Sequence, residues 1–261
     1  DISRNWDISQ TTINPRLTIA YQLTDDLKFR GGYARGFRAP QAFNEDLHIS
    51  SVGGEPQFVI LSNNLEAEFS NAFTGSLNWT KEFNTTQTNF LLEGFYTSLE
   101  DPFTLVSTGA QLPNGSIVEE VRNGEGAKVY GANFEFGVSP SKKWLFQIGG
   151  TIQQSEYDEP QLLFEADGSV PTEGDILINE FTRNPNVYGY LNSNWTPSDK
   201  FSLSATGTFT GSMIVPRVVS DSGFLSLVES DSFFDLNLNA ETHFDVSEEF
   251  QLTLNVGVKN A

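Results

Sequence analysis

From Leu17 onward, apolar residues return at every second position in run after run, and the runs are joined by connections that are short, long, then short again. A period of two is the geometry of a β-strand, whose side chains point alternately to opposite faces. Leu17, Ile19, Tyr21 and Leu23 share one parity, with Thr18, Ala20 and Gln22 between them. The clearest run sets Phe201, Leu203, Ala205, Gly207 and Phe209 against Ser202, Ser204, Thr206, Thr208 and Thr210. In a later run Phe234, Leu236, Leu238, Ala240, Thr242 and Phe244 oppose Asp235, Asn237, Asn239, Glu241 and His243. Each strand therefore has one apolar and one polar face. Read through, the chain carries about ten strands in about five hairpins.

The connections narrow the choice further. Short ones fall near residues 25, 83, 140, 198 and 247, and long ones near 50, 111, 170 and 222. The strand through Phe90 to Tyr96 is expected to continue through Phe103 and Leu105, and its successor to descend from Ile117, with Gly124 and Gly126 as bulges. Short turns on one rim and long loops on the other describe an up-and-down antiparallel sheet, as in outer-membrane barrels. A soluble β-sandwich also alternates. The aromatic residues beside the short turns favour the barrel: Trp79 with Phe83, Trp195 with Phe201, Phe244 with Phe250, and Trp144 after its own turn. Such residues ring a barrel where it meets the lipid–water boundary.

Composition removes several functions. The 261 residues hold no Cys, which excludes disulfides and thiolate metal sites. A formal charge of −19 argues against a nucleic-acid partner, which needs clustered Lys and Arg. No run approaches the roughly 18 apolar residues of a membrane helix, which leaves strand-built membrane proteins open. His48 lies in a loop and His243 on a polar strand face, and neither has a nucleophile–acid setting, so an enzyme is not expected. The acidic 155–183 connection includes Asp158, Glu159, Glu165, Asp167 and Asp175, candidate calcium ligands, since calcium takes about six to eight oxygens. They lack the acidic ladder of a calcium loop, so a solvated acidic loop is the simpler reading. No cofactor is expected beyond such calcium.

One segment stands apart: Arg35-Gly36-Phe37-Arg38-Ala39-Pro40. It closes an alternating strand and opens a long loop. Pro40 fixes its own φ and biases Ala39 toward extended geometry, which ends the strand. Gly36 removes bulk and permits unusual backbone angles. Arg35 and Arg38 set two cations in an acidic chain and are read as partners for Glu68 or for lumen acids, with direct ligand contact as the alternative. With Tyr33-Ala34 before it, this segment resembles the "Y-x-R-G-F-R-A-P" stretch of TonB-dependent outer-membrane receptors. Asn64-Leu65-Glu66-Ala67-Glu68 resembles that family's "N-L-x-P-E" with Ala67 in place of proline, and Val256-Gly257-Val258-Lys259-Asn260 resembles its late "G-V-x-N-L-F". Residues 39–48, from Ala39-Pro40 to Leu47-His48, are similar to Bacteroidetes-type members.

The resemblance implies an all-β transmembrane barrel of about 22 strands, of which this chain supplies about ten. Residues 1–261 would be a partial barrel domain, with the plug domain and the final strand outside the chain. It implies a bacterial outer-membrane location, with lipid against the barrel, TonB reached through the N-terminal region outside the chain, and a scarce large ligand at the outer loops. That ligand would be a siderophore, cobalamin, haem or a glycan, imported with energy delivered by TonB. Arg35, Gly36, Phe37, Arg38, Pro40, Glu68 and Asn260 would serve structural or lumen roles. The alternatives are a non-transporting outer-membrane barrel used in adhesion or structure, and a soluble secreted β-sandwich that binds a partner.

Overall fold

A computed structural model describes residues 11–40, 57–164, 176–219, 224–247 and 250–260. In chain order the first strands are β1 (Arg16–Gln22), β2 (Leu27–Arg38), β3 (Gln57–Leu61), β4 (Glu68–Phe83), β5 (Thr86–Glu100) and β6 (Phe103–Gln111). There follow β7 (Ile117–Asn123), β8 (Ala127–Ser141), β9 (Trp144–Tyr157), β10 (Gln161–Phe164), β11 (Ile176–Ile178) and β12 (Val187–Ser198). The last are β13 (Phe201–Thr210), β14 (Ile214–Val219), β15 (Phe224–Glu229), β16 (Phe233–Ser247) and β17 (Phe250–Val258). Ten of them form one sheet in the order β1-β2-β4-β5-β8-β9-β12-β13-β16-β17. Every neighbouring pair in it is antiparallel. The sheet is open, with β1 and β17 at its edges.

The seven other strands occupy the long connections, which makes those connections built loops. β3, β7 and β6 form a small sheet in which β3 runs parallel to β7, while β10 pairs with β11 and β14 with β15. This corrects two expectations. The strand through Tyr96 stops at Glu100 and does not run on to Phe103 and Leu105. Asp101 takes a left-handed φ of 54° and is followed by Pro102, so the chain turns out of the wall and starts β6 in another sheet. Likewise the stretch from Ile117 belongs to β7 of the small sheet, and Gly124 and Gly126 lie in the connection between β7 and β8 instead of forming bulges within a strand. A Cβ on Gly126 would stand 3.0 Å from the Leu99 carbonyl, so the glycine permits a close crossing of the wall.

The register explains the two faces. One row across the sheet reads Trp79, Phe90, Phe136 and Ile148, and the row above it Leu77, Leu92, Phe134 and Gly150. The opposite face carries Ser76, Glu93, Asn133 and Thr151 in a single row. Among the described residues no second layer covers the apolar face. Phe73 (51% exposed), Leu92 (43%) and Ile152 (60%) lie on central strands, yet stand open. Among the described residues the buried apolar side chains are Leu65, Ala67, Val118, Ala127 and Ile178, all at the bases of the loops or within them. A sandwich would bury the wall's apolar face against a second sheet, so this arrangement removes the sandwich reading.

Candidate functional site

The apolar face is bounded by two aromatic rows. At the short-turn rim Trp79 and Phe83 sit with ring centroids 6.5 Å apart, and Trp195 and Phe201 meet edge-on at 6.5 Å. Trp144 donates its indole N–H to the Ser193 Oγ at 3.0 Å. At the long-loop rim a second row, Tyr33, Phe73, Tyr96 and Tyr130, runs across four strands in register. Tyr33 packs on Phe73 at 4.9 Å and Tyr96 on Tyr130 at 6.4 Å. Their hydroxyls point to polar groups beyond the row: Tyr33 to Asn71 Oδ1 at 2.9 Å and Tyr130 to Glu156 Oε1 at 2.8 Å. Asn71 in turn donates to Glu100, and Lys128 pairs with Glu156. The sequence reading found the first row, because those residues flank turns. It missed the second, which is visible only once the strands are in register.

The distance between the rows is physically meaningful. Phe73 and Phe83 are ten positions apart on β4. At about 3.3 Å per residue that is roughly 33 Å of strand, or about 25 Å along the membrane normal at a tilt of about 40°. That equals the apolar height of an outer-membrane barrel. An apolar face of this height, bare of protein cover and ringed by aromatics, is a lipid-facing wall.

The opposite face is largely polar and therefore wet, with Leu91 and Phe95 among its few apolar positions. Asn133 donates to Glu93 at 3.0 Å and accepts from Thr151 at 2.8 Å. Tyr190 reaches across β9 to donate to Glu135 at 2.8 Å. Its ring lies where a side chain on Gly149 would be: a Cβ there would come within 2.6 Å of it. His243 sits on this face as expected, 3.0 Å from Thr253 through Nδ1 and 3.1 Å from Glu241 through Nε2. Formal charge is divided along the wall. Arg16, Lys28 and Arg30 occupy β1 and β2, while Glu93, Glu135, Asp235 and Glu241 occupy β5, β8 and β16.

The Arg35–Pro40 segment forms the end of β2 and the start of the loop above it. Arg38 and Glu68 face each other in register, and both meet Phe103, the first residue of β6. The Arg38 guanidinium lies 5.3 Å from the Phe103 ring centre, and Glu68 Oε2 accepts the Phe103 backbone N–H at 3.1 Å. These two positions thus grip the foot of the loop sheet. Arg35 has the parity of the outward face and covers the Phe69 ring at 4.4 Å, while Phe37 is exposed on the same face. Gly36 does not use a left-handed φ; it gives room, since a Cβ there would stand 2.7 Å from the Ser70 Oγ. β2 ends two residues before Pro40. Asn260 follows β17 with a φ of 55°.

Asn123 completes the attachment of the loop sheet. Its amide accepts the Glu66 N–H at 2.7 Å and donates to the carbonyls of Glu66 at 3.0 Å and Asp101 at 2.8 Å. Within this sheet, burial pushes the Glu119 carboxyl up from its ordinary value. Of the acidic 155–183 residues, Asp158 lies 3.9 Å from Lys128 and Glu159 is exposed, while Glu165, Asp167 and Asp175 lie outside the described residues, as does His48. Among the described residues no group of three or more metal-binding side chains occurs.

Wall, rings and loops together define the class: part of an outer-membrane β-barrel. The family model "TonB dependent receptor-like, beta-barrel" matches residues 1–261, and the chain belongs to that family, whose barrels lie in the bacterial outer membrane. The family consists of receptors and not enzymes, in line with the reading of the sequence. Among solved structures, a mutant of the ferric enterobactin receptor of Pseudomonas aeruginosa is similar at 17% identity and a TM-score of 0.60, over 95% of this chain and 34% of that one. The FrpB iron transporter of Neisseria meningitidis is similar at 13% identity and 0.63, over 95% and 34%. The siderophore receptor PirA of Acinetobacter baumannii is similar at 16% identity and 0.63, over 95% and 36%. The chain thus spans about a third of the length of these structures. No curated protein matches it. The similarity to Bacteroidetes-type members rests on residues 39–48, of which 41–48 lie outside the described residues.

Proposed function

We propose that the chain is part of the barrel of an outer-membrane receptor that imports a scarce, large ligand with energy from TonB, and that the ligand is an iron–siderophore complex. The observation that carries this reading is the two-sided wall: a lipid face of membrane height backed by a wet, charged lumen face, with built loops at one rim. A barrel with a polar interior and an ordered outer mouth suits capture and passage of a polar cargo. The ligand class is supported by the structural relatives, two named as siderophore or ferric enterobactin receptors and one as an iron transporter. Contact with TonB and a plug within the lumen belong to the complete receptor. Arg38 and Glu68 then act by fixing the loop sheet over the mouth.

The test is uptake. The complete gene is deleted and restored in its host, and entry of radioactive iron carried by a panel of catecholate and hydroxamate siderophores is measured under iron limitation, with and without a functional TonB. Uptake that needs both the gene and TonB supports the reading. Cobalamin, haem or oligosaccharide uptake with the same dependence would keep the receptor and replace the ligand. Loss of the gene without effect on any uptake, together with loss of surface attachment, would instead establish a barrel for adhesion.

A further inference from the structure

We propose that Asn114, in the turn between β6 and β7, is a site of spontaneous covalent modification, in which its side-chain amide is lost as ammonia and the residue becomes aspartate or isoaspartate. Asn-Gly occurs twice in the chain, at Asn114-Gly115 and Asn123-Gly124, and both pairs belong to the loop sheet. The pair is prone to this chemistry because glycine, having no side chain, lets its backbone nitrogen swing onto the asparagine before it. The two pairs are chemically alike. The fold exposes one and clamps the other.

The reaction balances with water as its only other reactant. The Gly115 nitrogen attacks the Asn114 Cγ, a C–N bond forms, the bond from Cγ to Nδ2 breaks, and ammonia leaves with the proton from Gly115. Water then opens the cyclic imide at either carbonyl, giving aspartate or isoaspartate. Negative charge develops on Oδ1 during the attack. There Oδ1 already accepts the Ser116 backbone N–H at 3.1 Å, so a donor stands where the charge appears. That bond closes a ring through Gly115, which keeps Cγ beside the attacking nitrogen. Asn114 is exposed to water, and one bond, from the Gly115 N–H to the Leu112 carbonyl at 2.9 Å, must open first. At Asn123 the side chain is held by three bonds, to the Glu66 N–H and to the carbonyls of Glu66 and Asp101, and the Gly124 N–H is given to the Pro102 carbonyl at 2.7 Å. Four bonds must therefore open there. Each extra bond lowers the open population about fivefold, so Asn123 reacts about a hundredfold more slowly than Asn114. Conversion of Asn114 adds one negative charge at the hairpin tip. Conversion of Asn123 would set a carboxylate against two carbonyls and undo the attachment of the loop sheet, so the clamp preserves its own residue.

The experiment keeps the purified complete receptor in detergent at mildly alkaline pH, in water enriched in heavy oxygen. Peptides from timed samples are weighed, and isoaspartate is counted by enzymatic methylation. Opening of the imide puts one labelled oxygen into each converted residue. Asn114 converts steadily in the folded receptor, and Asn123 about a hundredfold more slowly. In receptor unfolded with guanidinium the two rates come within about threefold of each other, because the sequence chemistry is then alike. Asn114→Gln removes the signal at that position. Glu68→Ala removes the acceptor of the Phe103 N–H at the foot of β6; it quickens Asn123 about tenfold and leaves Asn114 unchanged. Hydrogen exchange in β8 and β9 of that variant confirms that the wall is intact. Equal rates at the two positions in the folded receptor overturn the proposal. So does an Asn114 that stays intact in the folded receptor while it converts in the unfolded one.

Discussion

Leu77 provides a direct test of which face meets lipid and at what depth. It lies on β4 between the two aromatic rows, one position from the midpoint between Phe73 and Phe83, and points outward with Leu92 beside it. Placing arginine at the midplane of a barrel's lipid face costs about 2–4 kcal/mol, falling to about 0–1 kcal/mol at the interface. Leu77→Arg should therefore shift the folding equilibrium by roughly 30- to 900-fold. Asn78→Arg, one position on, points into the wet lumen and should cost about 0.5 kcal/mol or less. Phe73→Arg, at the outer row, should cost about 1–2 kcal/mol, mostly from loss of the Tyr33 ring contact. The assay is guanidinium-driven unfolding of the complete receptor in phospholipid vesicles, followed by tryptophan fluorescence. Equal costs at Leu77 and Asn78 would refute the assignment of faces. A cost at Phe73 as large as at Leu77 would refute the depth scale, since burial under another sheet would not follow distance from the aromatic rows.

Three further tests probe the loops and the close crossings. Asn123→Ala removes three hydrogen bonds at the root of the loop sheet; at about 1 kcal/mol each, local opening of β6 and β7 should ease by about 2–3 kcal/mol. Hydrogen exchange should quicken there and not in β8 and β9, and uniform quickening would count against a local clip. On Gly131 a Cβ would stand 2.3 Å from the Ile152 carbonyl, whereas on Gly75 it would meet nothing within 4 Å. Gly131→Ala should destabilise the barrel by about 1–3 kcal/mol and Gly75→Ala should be neutral or mildly stabilising; a denaturation series that reversed this order would contradict the packing. For Glu119 the raised carboxyl favours the protonated form in the folded loop sheet. Its contribution is fully present below the ordinary glutamate value and is lost as pH rises through the folded value. Protection factors for β7 should fall on going from about pH 4 to about pH 7, and Glu119→Gln should flatten that profile; a profile unchanged by the substitution would show that another group titrates.

What could be read from the sequence was what depends on neighbours in the chain. Alternation marked all ten wall strands and both of their faces, because the side-chain period of a strand is a local property. Trp79, Trp144 and Trp195 marked one membrane boundary, because a short turn puts the rim next to the aromatic in sequence. What could not be read depends on register between strands or on a single backbone angle. Tyr33, Phe73, Tyr96 and Tyr130 belong to four strands and form a row only after pairing. The run through Phe103 and Leu105 keeps its alternation, and nothing in the pattern shows that Asp101 turns left-handed and diverts it into another sheet. The parallel pairing of β3 with β7 joins residues about sixty positions apart with no local signal.

The same distinction applies to the arginine-rich segment. Its position at the end of a strand followed from Pro40, but the ring contacts of its two arginines did not follow from charge. Pairing by charge alone would direct Arg35 and Arg38 toward carboxylates. Parity instead sends Arg35 outward onto the Phe69 ring, while Arg38 and Glu68 converge on Phe103, one through its cation and the other through a backbone hydrogen bond. A guanidinium on an aromatic face keeps its charge while covering apolar surface, which suits the level where the wall leaves the lipid. The lumen side of this hairpin also carries Arg16, Lys28 and Arg30, which the motif does not contain. The segment that carries the family resemblance thus secures the foot of the loop sheet at the outer rim.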